Sequence, residues 1–143
     1  MDKVLSLLGL AKKAGRLEAG EEPVGAAARA RDARLILLAS DAAENTVRRG
    51  KHFAEAGACL WVSVPATKDE LGRAVGRTSC AMLALTDIGF AETIAKKLAA
   101  LDPERYGEVA ERLAIKAARA AERKQEQKRH DKNVRTGKKR NKH

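Results

Sequence analysis

Apolar positions along this chain alternate between a helical period and short strand-like runs. Val4, Leu5, Leu8 and Ala11 are spaced as the stripe of an amphipathic helix, whereas residues 34–39 form a short apolar run. Segments of the two kinds follow one another through the first hundred residues. This alternation predicts an α/β domain in which helices cover both faces of a sheet.

Turn and capping residues set the limits of the predicted elements. Gly15 supplies a left-handed residue to end the first helix, and Gly20 opens the second, with Glu21 and Glu22 in its first turn. Thr67 and the residue three positions later, a glutamate, have the spacing of a capping box. The predicted extended segments are 16–19, 34–39, 60–64 and 80–85.

The last part of the chain has a different character. Asp102 followed by Pro103 predicts a helix start, and the stripe of this helix weakens toward its end. Its members are Tyr106, Val109, Leu113, Ala117 and Ala120. We expect the helix to fray from about Gln125, and we divide the chain into a domain at 1–101 and a basic, helical to disordered extension at 102–143.

Charge supports this division and indicates a polyanionic partner. The chain has a formal net charge of +10 and a pI near 10.0. Residues 1–101 contain 15 Lys and Arg against 12 Asp and Glu, whereas residues 102–143 contain 14 against 7. Because a positive field concentrates phosphate-bearing molecules, nucleic acid is the first candidate.

Several other classes of protein are not indicated. The apolar runs are far shorter than the roughly 20 residues that cross a bilayer, and the start of the chain lacks the pattern of a secretory signal. A cytoplasmic protein that does not bind membranes is therefore expected. Cys59 and Cys80 lack the spacing of metal ligands, so we predict reduced, buried thiols; a disulfide or metal site is the alternative.

Nothing in the sequence indicates an enzyme. The three histidines have no acidic or thiol partner nearby in sequence, and the adjacent acids at 21–22 and 69–70 are typical of helix starts. The glycines do not form a phosphate-binding loop before a helix. We therefore expect no catalytic residue, no metal and no cofactor.

Three segments beside predicted strands are candidates for contact with RNA: residues 20–24, 40–45 and 76–79. A helix start preceded by glycine offers free amides to phosphate, and nearby cations supply charge. The candidate residues are Lys12, Lys13, Arg16, Gly20, Glu21, Glu22, Asp41, Asn45, Arg48, Arg49, Arg77, Thr78 and Ser79. Ordinary solvated surface is the alternative for these positions.

The first hundred residues resemble the ribosomal protein L7Ae superfamily of kink-turn RNA-binding proteins, most closely its small bacterial YlxQ-like members. Three pieces carry the resemblance in order and spacing: LGLAKKAGRLEAGEEPV at 8–24, LILLASDAAENT at 35–46 and TKDELGRAVG at 67–76. The resemblance implies a three-layer α/β/α sandwich with a four-stranded mixed sheet. It also implies an RNA-facing surface made by the same three segments.

The resemblance extends to single positions and includes departures. Gly20 matches the glycine that opens the second helix of the family. Glu22 stands where kink-turn binders have Asn or Lys, Pro23 replaces Glu or Gln, and Ala26 replaces a lysine. A carboxylate at residue 22 only accepts hydrogen bonds, so guanine O6 and phosphates would repel it. The polar loop at 77–79 replaces one that is commonly apolar.

The extension lies outside the resemblance, and its charge predicts nonspecific phosphate contacts with strong salt dependence. Residues 116–143 contain 12 Lys and Arg against 3 Asp and Glu, and a solvated, disordered solubility tail is the alternative reading. The predicted contacts are Arg123, Lys124, Lys128, Arg129, Lys138, Lys139 and Arg140.

The leading hypothesis is a monomeric, noncatalytic protein that binds structured or ribosomal RNA and associates with the ribosome. A protein-interaction module of the ribosome or RNA-processing machinery is the second hypothesis, favoured by the altered positions at 22, 23 and 26. A fragment of an RNA methyltransferase is a third, since related folds serve as recognition domains in such enzymes. The chain is too short for the catalytic domain that this third hypothesis requires.

Overall fold

Four short strands form one mixed sheet in the computed structural model, which describes residues 1–140, with the backbone alone for residues 135–140. The strands are β1 (Leu17–Ala19), β2 (Leu35–Leu38), β3 (Leu60–Ser63) and β4 (Met82–Leu85). Their order is β1-β4-β2-β3. The predicted four-stranded mixed sheet is confirmed.

Strand directions give the sheet two chemically different edges. β4 is antiparallel to both β1 and β2, and β2 is parallel to β3. The strands β1, β2 and β3 therefore all run the same way. We call the edge where these three strands end the carboxyl edge, and the edge where they begin the amino edge.

Helices cover both faces, so the predicted three-layer sandwich is confirmed. Leu35 and Leu37 pack in a core with α1, α4, α5 and α6, whereas Ile36 and Leu38 pack on the opposite face with α2 and α3. Alternate residues of a strand point to opposite faces, which explains this division. The helices are α1 (Asp2–Lys13), α2 (Glu21–Arg29), α3 (Glu44–Ala56), α4 (Lys68–Ala74), α5 (Ile88–Leu101) and α6 (Pro103–Arg140).

The capping interactions expected at α4 and α1 are present. The Thr67 amide donates to Glu70 Oε1 at 3.0 Å, and the Glu70 amide donates to Thr67 Oγ1 at 3.2 Å. Gly15 has a φ of +71° just after α1, as expected for a residue that follows a helix end. These local contacts fix where α1 stops and where α4 starts.

The first part of α6 belongs to the hydrophobic core. Tyr106, Ala110 and Leu113 are buried in the same cluster as α1, α4 and α5. The Tyr106 hydroxyl donates to the carbonyl oxygen of Ser63, at the end of β3, at 2.6 Å. The core therefore extends past the boundary predicted at residue 101, because α6 covers apolar surface that α5 and β3 leave open.

Two further expectations differ from the structure. α6 continues to Arg140 instead of fraying from Gln125, because this segment is rich in strong helix formers and Gln127 bonds Asp131 one turn later at 3.0 Å. Cys80 is buried but Cys59 is only half-buried, so the thiols are not both buried. Cys59 follows a tight turn at the amino edge, where it lines an open depression.

Removing the tyrosine hydroxyl tests whether α6 unfolds together with the domain. Tyr106→Phe leaves the Ser63 carbonyl without its donor, so the free energy of unfolding should fall by about 1 kcal/mol. Urea denaturation followed by far-UV circular dichroism measures this change. An unchanged midpoint would mean that α6 is not part of the cooperative unit.

The capping box at α4 predicts a pH-dependent contribution to stability. Hydrogen bonds from Thr67 lower the pKa of Glu70, so its contribution is present above the unfolded pKa, about 4.3, and is lost as the pH falls through the lower folded value. Glu70→Gln should therefore destabilise the protein at pH 6, with a difference that shrinks toward pH 3. Chemical denaturation across this range measures it, and a difference that does not shrink toward pH 3 would contradict this contribution of the capping box.

Candidate nucleic-acid interface

Hydrogen bonds between loops build the carboxyl edge into one continuous surface. The Gly20 amide donates to the Met82 carbonyl at 2.9 Å, the Ser40 amide to the Ala66 carbonyl at 2.8 Å, and the Cys80 amide to the Lys68 carbonyl at 2.8 Å. These bonds connect four loops that are distant in sequence. The three segments predicted to share one edge, 20–24, 40–45 and 76–79, are thus brought together.

Gly20 and Arg77 form the contact at the centre of this surface. The Arg77 Nη1 donates to the Ala19 carbonyl at 2.8 Å, and Gly20 has a φ of +99°. A Cβ at residue 20 would lie 3.3 Å from Arg77 Nη1. The positive φ therefore favours glycine here, and an added Cβ would displace the Arg77 guanidinium group by a few tenths of an ångström.

Glu21 joins α2 to α3. Its Oε1 accepts from the Thr46 hydroxyl at 3.2 Å, and its other oxygen pairs with Arg49. Because both carboxylate oxygens have partners within the protein, Glu21 and Arg49 have a structural role in addition to the predicted one. Sequence reasoning missed Thr46, since its partner lies in another helix.

Glu22 is exposed and faces a shallow depression beside α3. Arg29, Arg49 and His52 line the same depression, so two arginines lie near this carboxylate. Neither Arg29 nor His52 was a predicted site residue. Arg29 could have been found from its helical spacing, because a residue seven positions after Glu22 lies on the same face of α2.

The remaining polar candidates on the carboxyl edge differ in whether their side chains have a hydrogen-bond partner within the described residues. Asp41 accepts from the Lys68 amide at 2.8 Å and so fixes the start of α4. Asn45, Thr78 and Ser79 are exposed and have no hydrogen bond from their side chains within the described residues. These three side chains have donors and acceptors available for a ligand.

Not every predicted cation reaches this edge. Arg16 precedes β1, and its carbonyl accepts from Thr86 at 3.0 Å, which places it at the amino edge. Lys12 and Lys13 line a depression with the end of α4 and Gly76, on the flank of the 76–79 loop. Arg48 is exposed on α3, one turn from its start.

The predicted tail cations lie on α6, beyond the core. Arg123, Lys124, Lys128 and Arg129 are all exposed, and their contact with phosphate stays a prediction. The side chains of Lys138, Lys139 and Arg140 lie outside the described residues. α6 runs from Tyr106, at the carboxyl edge, toward the amino edge. The four described cations of the tail therefore project from the side opposite to Gly20.

Neither a metal site nor a membrane-spanning helix is present in the described part of the chain. No group of three or more His, Cys, Asp or Glu side chains there could hold a metal ion. No helix described is both long enough and apolar enough to cross a membrane.

The chain belongs to the Ribosomal protein L7Ae/L30e/S12e/Gadd45 family, which matches residues 2–95. It is 36% identical over 92 residues to the RNA-binding protein YlxQ of Bacillus subtilis (strain 168), covering 62% of this chain and 87% of that protein. It is 43% identical over 49 residues to the RNA-binding protein YlxQ of Enterococcus faecium, covering 34% of this chain and 48% of that protein.

Solved structures share the fold. A protein of unknown function from Bacillus halodurans C has 33% sequence identity and a TM-score of 0.61, covering 66% of this chain and 94% of that one. A 15.5kD RNA binding protein from Giardia lamblia has 19% identity and a TM-score of 0.54, covering 68% of this chain and 85% of that one. The second likeness concerns the fold alone.

The Gly20 conformation leads to a stability prediction with an internal control. Gly20→Ala forces an L residue into positive φ, so the free energy of unfolding should fall by about 1–2 kcal/mol. Gly107→Ala, in an open helical position with nothing within 4 Å of the added Cβ, should instead be neutral or stabilising. Thermal and urea unfolding compare the two, and equal losses would contradict the role given to Gly20.

Proposed function

We propose that this protein is a noncatalytic, cytoplasmic RNA-binding protein that recognises structured RNA, kink-turn-like or ribosomal, and associates with the ribosome. The observation that carries the proposal is the carboxyl edge, where loops connected by hydrogen bonds present exposed Asn45, Thr78 and Ser79 around Gly20. Membership of the family and similarity to proteins named for RNA binding support it.

The surface is suited to reading nucleotides through fixed polar groups. The first amides of α2, at Glu21 and Glu22, have no partner within the helix and lie where its positive end favours phosphate. Asn45 supplies both donors and acceptors, and Glu22 accepts only. Exposed amino groups of adenine, cytosine or guanine are the base groups that Glu22 would favour.

α6 adds affinity for RNA that does not depend on the nucleotide sequence. Its exposed cations contact phosphates, so binding should weaken steeply with salt, because each neutralised phosphate releases counterions. Specificity is then a property of the carboxyl edge, and much of the affinity is a property of the helix.

A single titration series tests this division of roles. Full-length protein is measured against a kink-turn RNA, a plain duplex and a single strand, each at two salt concentrations. Glu22→Ala with Asn45→Ala should reduce the preference for the kink-turn over the duplex by about 30-fold or more, since the variant removes two base contacts and each contributes roughly 1–3 kcal/mol. The matched control is Glu108→Ala with Gln125→Ala, which removes one carboxylate and one amide from exposed positions on α6.

The results separate the outcomes. Preference for the kink-turn that falls only in the carboxyl-edge variant supports the proposal. Equal binding to all three RNAs by the unmodified protein would overturn recognition at this edge, and no binding at low salt would overturn RNA binding altogether.

A second candidate function is a protein-interaction module on the ribosome or RNA-processing machinery. Glu22, Pro23 and Ala26 are all exposed on one face of α2, where an apolar and acidic surface suits a protein partner better than phosphate. Co-sedimentation with ribosomes that survives high salt, together with no preference among the three RNAs, would favour this function.

A further inference from the structure

A second basic surface lies at the amino edge, away from the surface described above. Four parts of the chain line it: the α2–β2 connection at residues 33–34, the α3–β3 turn at residues 57–59, Ile88 at the start of α5, and α6 from Lys116 to Arg123. We call this the amino-edge groove. Four of its ten lining residues come from α6, outside the residues that match the family.

The groove has positive charge without a compensating partner. Arg34, Lys116, Arg119 and Arg123 all line it, and no carboxylate is among its described lining residues. The salt bridges Arg49–Glu21 and Lys96–Glu92 are elsewhere. Arg34 makes one bond, a 3.3 Å contact to the carbonyl of Arg31, which leaves its charge uncompensated.

The rest of the groove lining is uncharged. Ala33, Gly57, Ala58, Ile88 and Ala120 form it together with the half-buried Cys59. The amides of Ala58 and Cys59 already donate to carbonyls of α3, so backbone amides there are not free to bind an anion. An anion in this groove would therefore be bound by the four cationic side chains.

The spacing of the cations suits a polymer better than a single ion. Lys116 and Arg123 are seven residues apart on one face of α6, which corresponds to about 10 Å. This exceeds the size of one phosphate group and suits successive phosphates of a nucleic-acid strand. Arginine and lysine side chains at this spacing are typical of contacts that position a backbone without reading bases.

We propose that the amino-edge groove is a second RNA-contacting site, which binds the phosphodiester backbone through Arg34, Lys116, Arg119 and Arg123. The ligand class rests on the proposed function, but the surface is distinct from the carboxyl edge. An RNA that occupies both must cross the sheet, whose strands of three or four residues span about 10–13 Å.

Cys59 provides a direct probe of this groove. Burial raises the pKa of its thiol, and the positive charges of Lys116 and Arg34 act in the opposite direction. A phosphate chain in the groove would cover the thiol and neutralise these charges, and both effects slow alkylation. Cys80 is buried, so brief alkylation should label Cys59 in preference to it. Peptide mass mapping then assigns the label to one thiol or the other.

The test compares two charge-matched variants of the full chain. Arg34→Gln with Arg119→Gln removes one cation from the α2–β2 connection and one from α6. Lys3→Gln with Lys97→Gln removes two exposed cations from α1 and α5. For a plain RNA duplex, the slope of log K against log salt is negative, and the groove variant should reduce its magnitude by roughly two. The control should leave the slope nearly unchanged.

Alkylation of Cys59 is measured in parallel, as the ratio of rates with and without duplex RNA. The unmodified protein and the control should show several-fold protection, and the groove variant should lose most of it. Equal slopes and equal protection in both variants would overturn the groove while RNA binding itself remained. No RNA binding by the unmodified protein would instead overturn the proposed function.

Competitors identify the ligand class. Protection by millimolar inorganic phosphate as strong as that by RNA would overturn a polynucleotide site in favour of a simple anion site. Equal protection by polyglutamate of matched charge would overturn it in favour of an acidic protein partner. Retained protection in the Glu22→Ala, Asn45→Ala variant would show that the groove acts independently of the carboxyl edge.

Discussion

The pairing of β4 between β1 and β2 is the constraint on which the rest of the structure depends. Leu85 lies opposite both Leu17 and Leu35, and Leu83 opposite both Ala19 and Leu37. Because β4 runs against its two neighbours, the loop before it meets the ends of those strands. Gly20, the turn after β2 and the 76–79 loop share one edge for this reason.

α6 connects the two edges of the sheet. Tyr106 fixes its start at the end of β3, and Lys116 lies beside Cys59, where β3 begins. The basic part of the helix therefore emerges opposite to the Gly20 surface, and one RNA could contact both only by crossing the sheet. A charged tail attached at the carboxyl edge would not impose this geometry.

Much of the fold could be predicted from the sequence, because the signals involved are local. Hydrophobic period distinguished helices from strands, Thr67 and Glu70 marked the start of α4 through their spacing, and Gly15 marked a position of positive φ. The order of three short segments indicated the family. The excess positive charge of the last 42 residues required only counting.

Only the tertiary structure decided which residues meet. Glu21 is bound by Thr46 and Arg49 from another helix, and Arg16 lies at the opposite edge from Gly20 although the two are only four positions apart, since β1 crosses the sheet between them. Arg34 and Arg119 are distant in sequence and line one groove, while Tyr106 joins the core from beyond the predicted boundary. Such pairings depend on strand order and helix direction, which periodicity and local spacing do not encode.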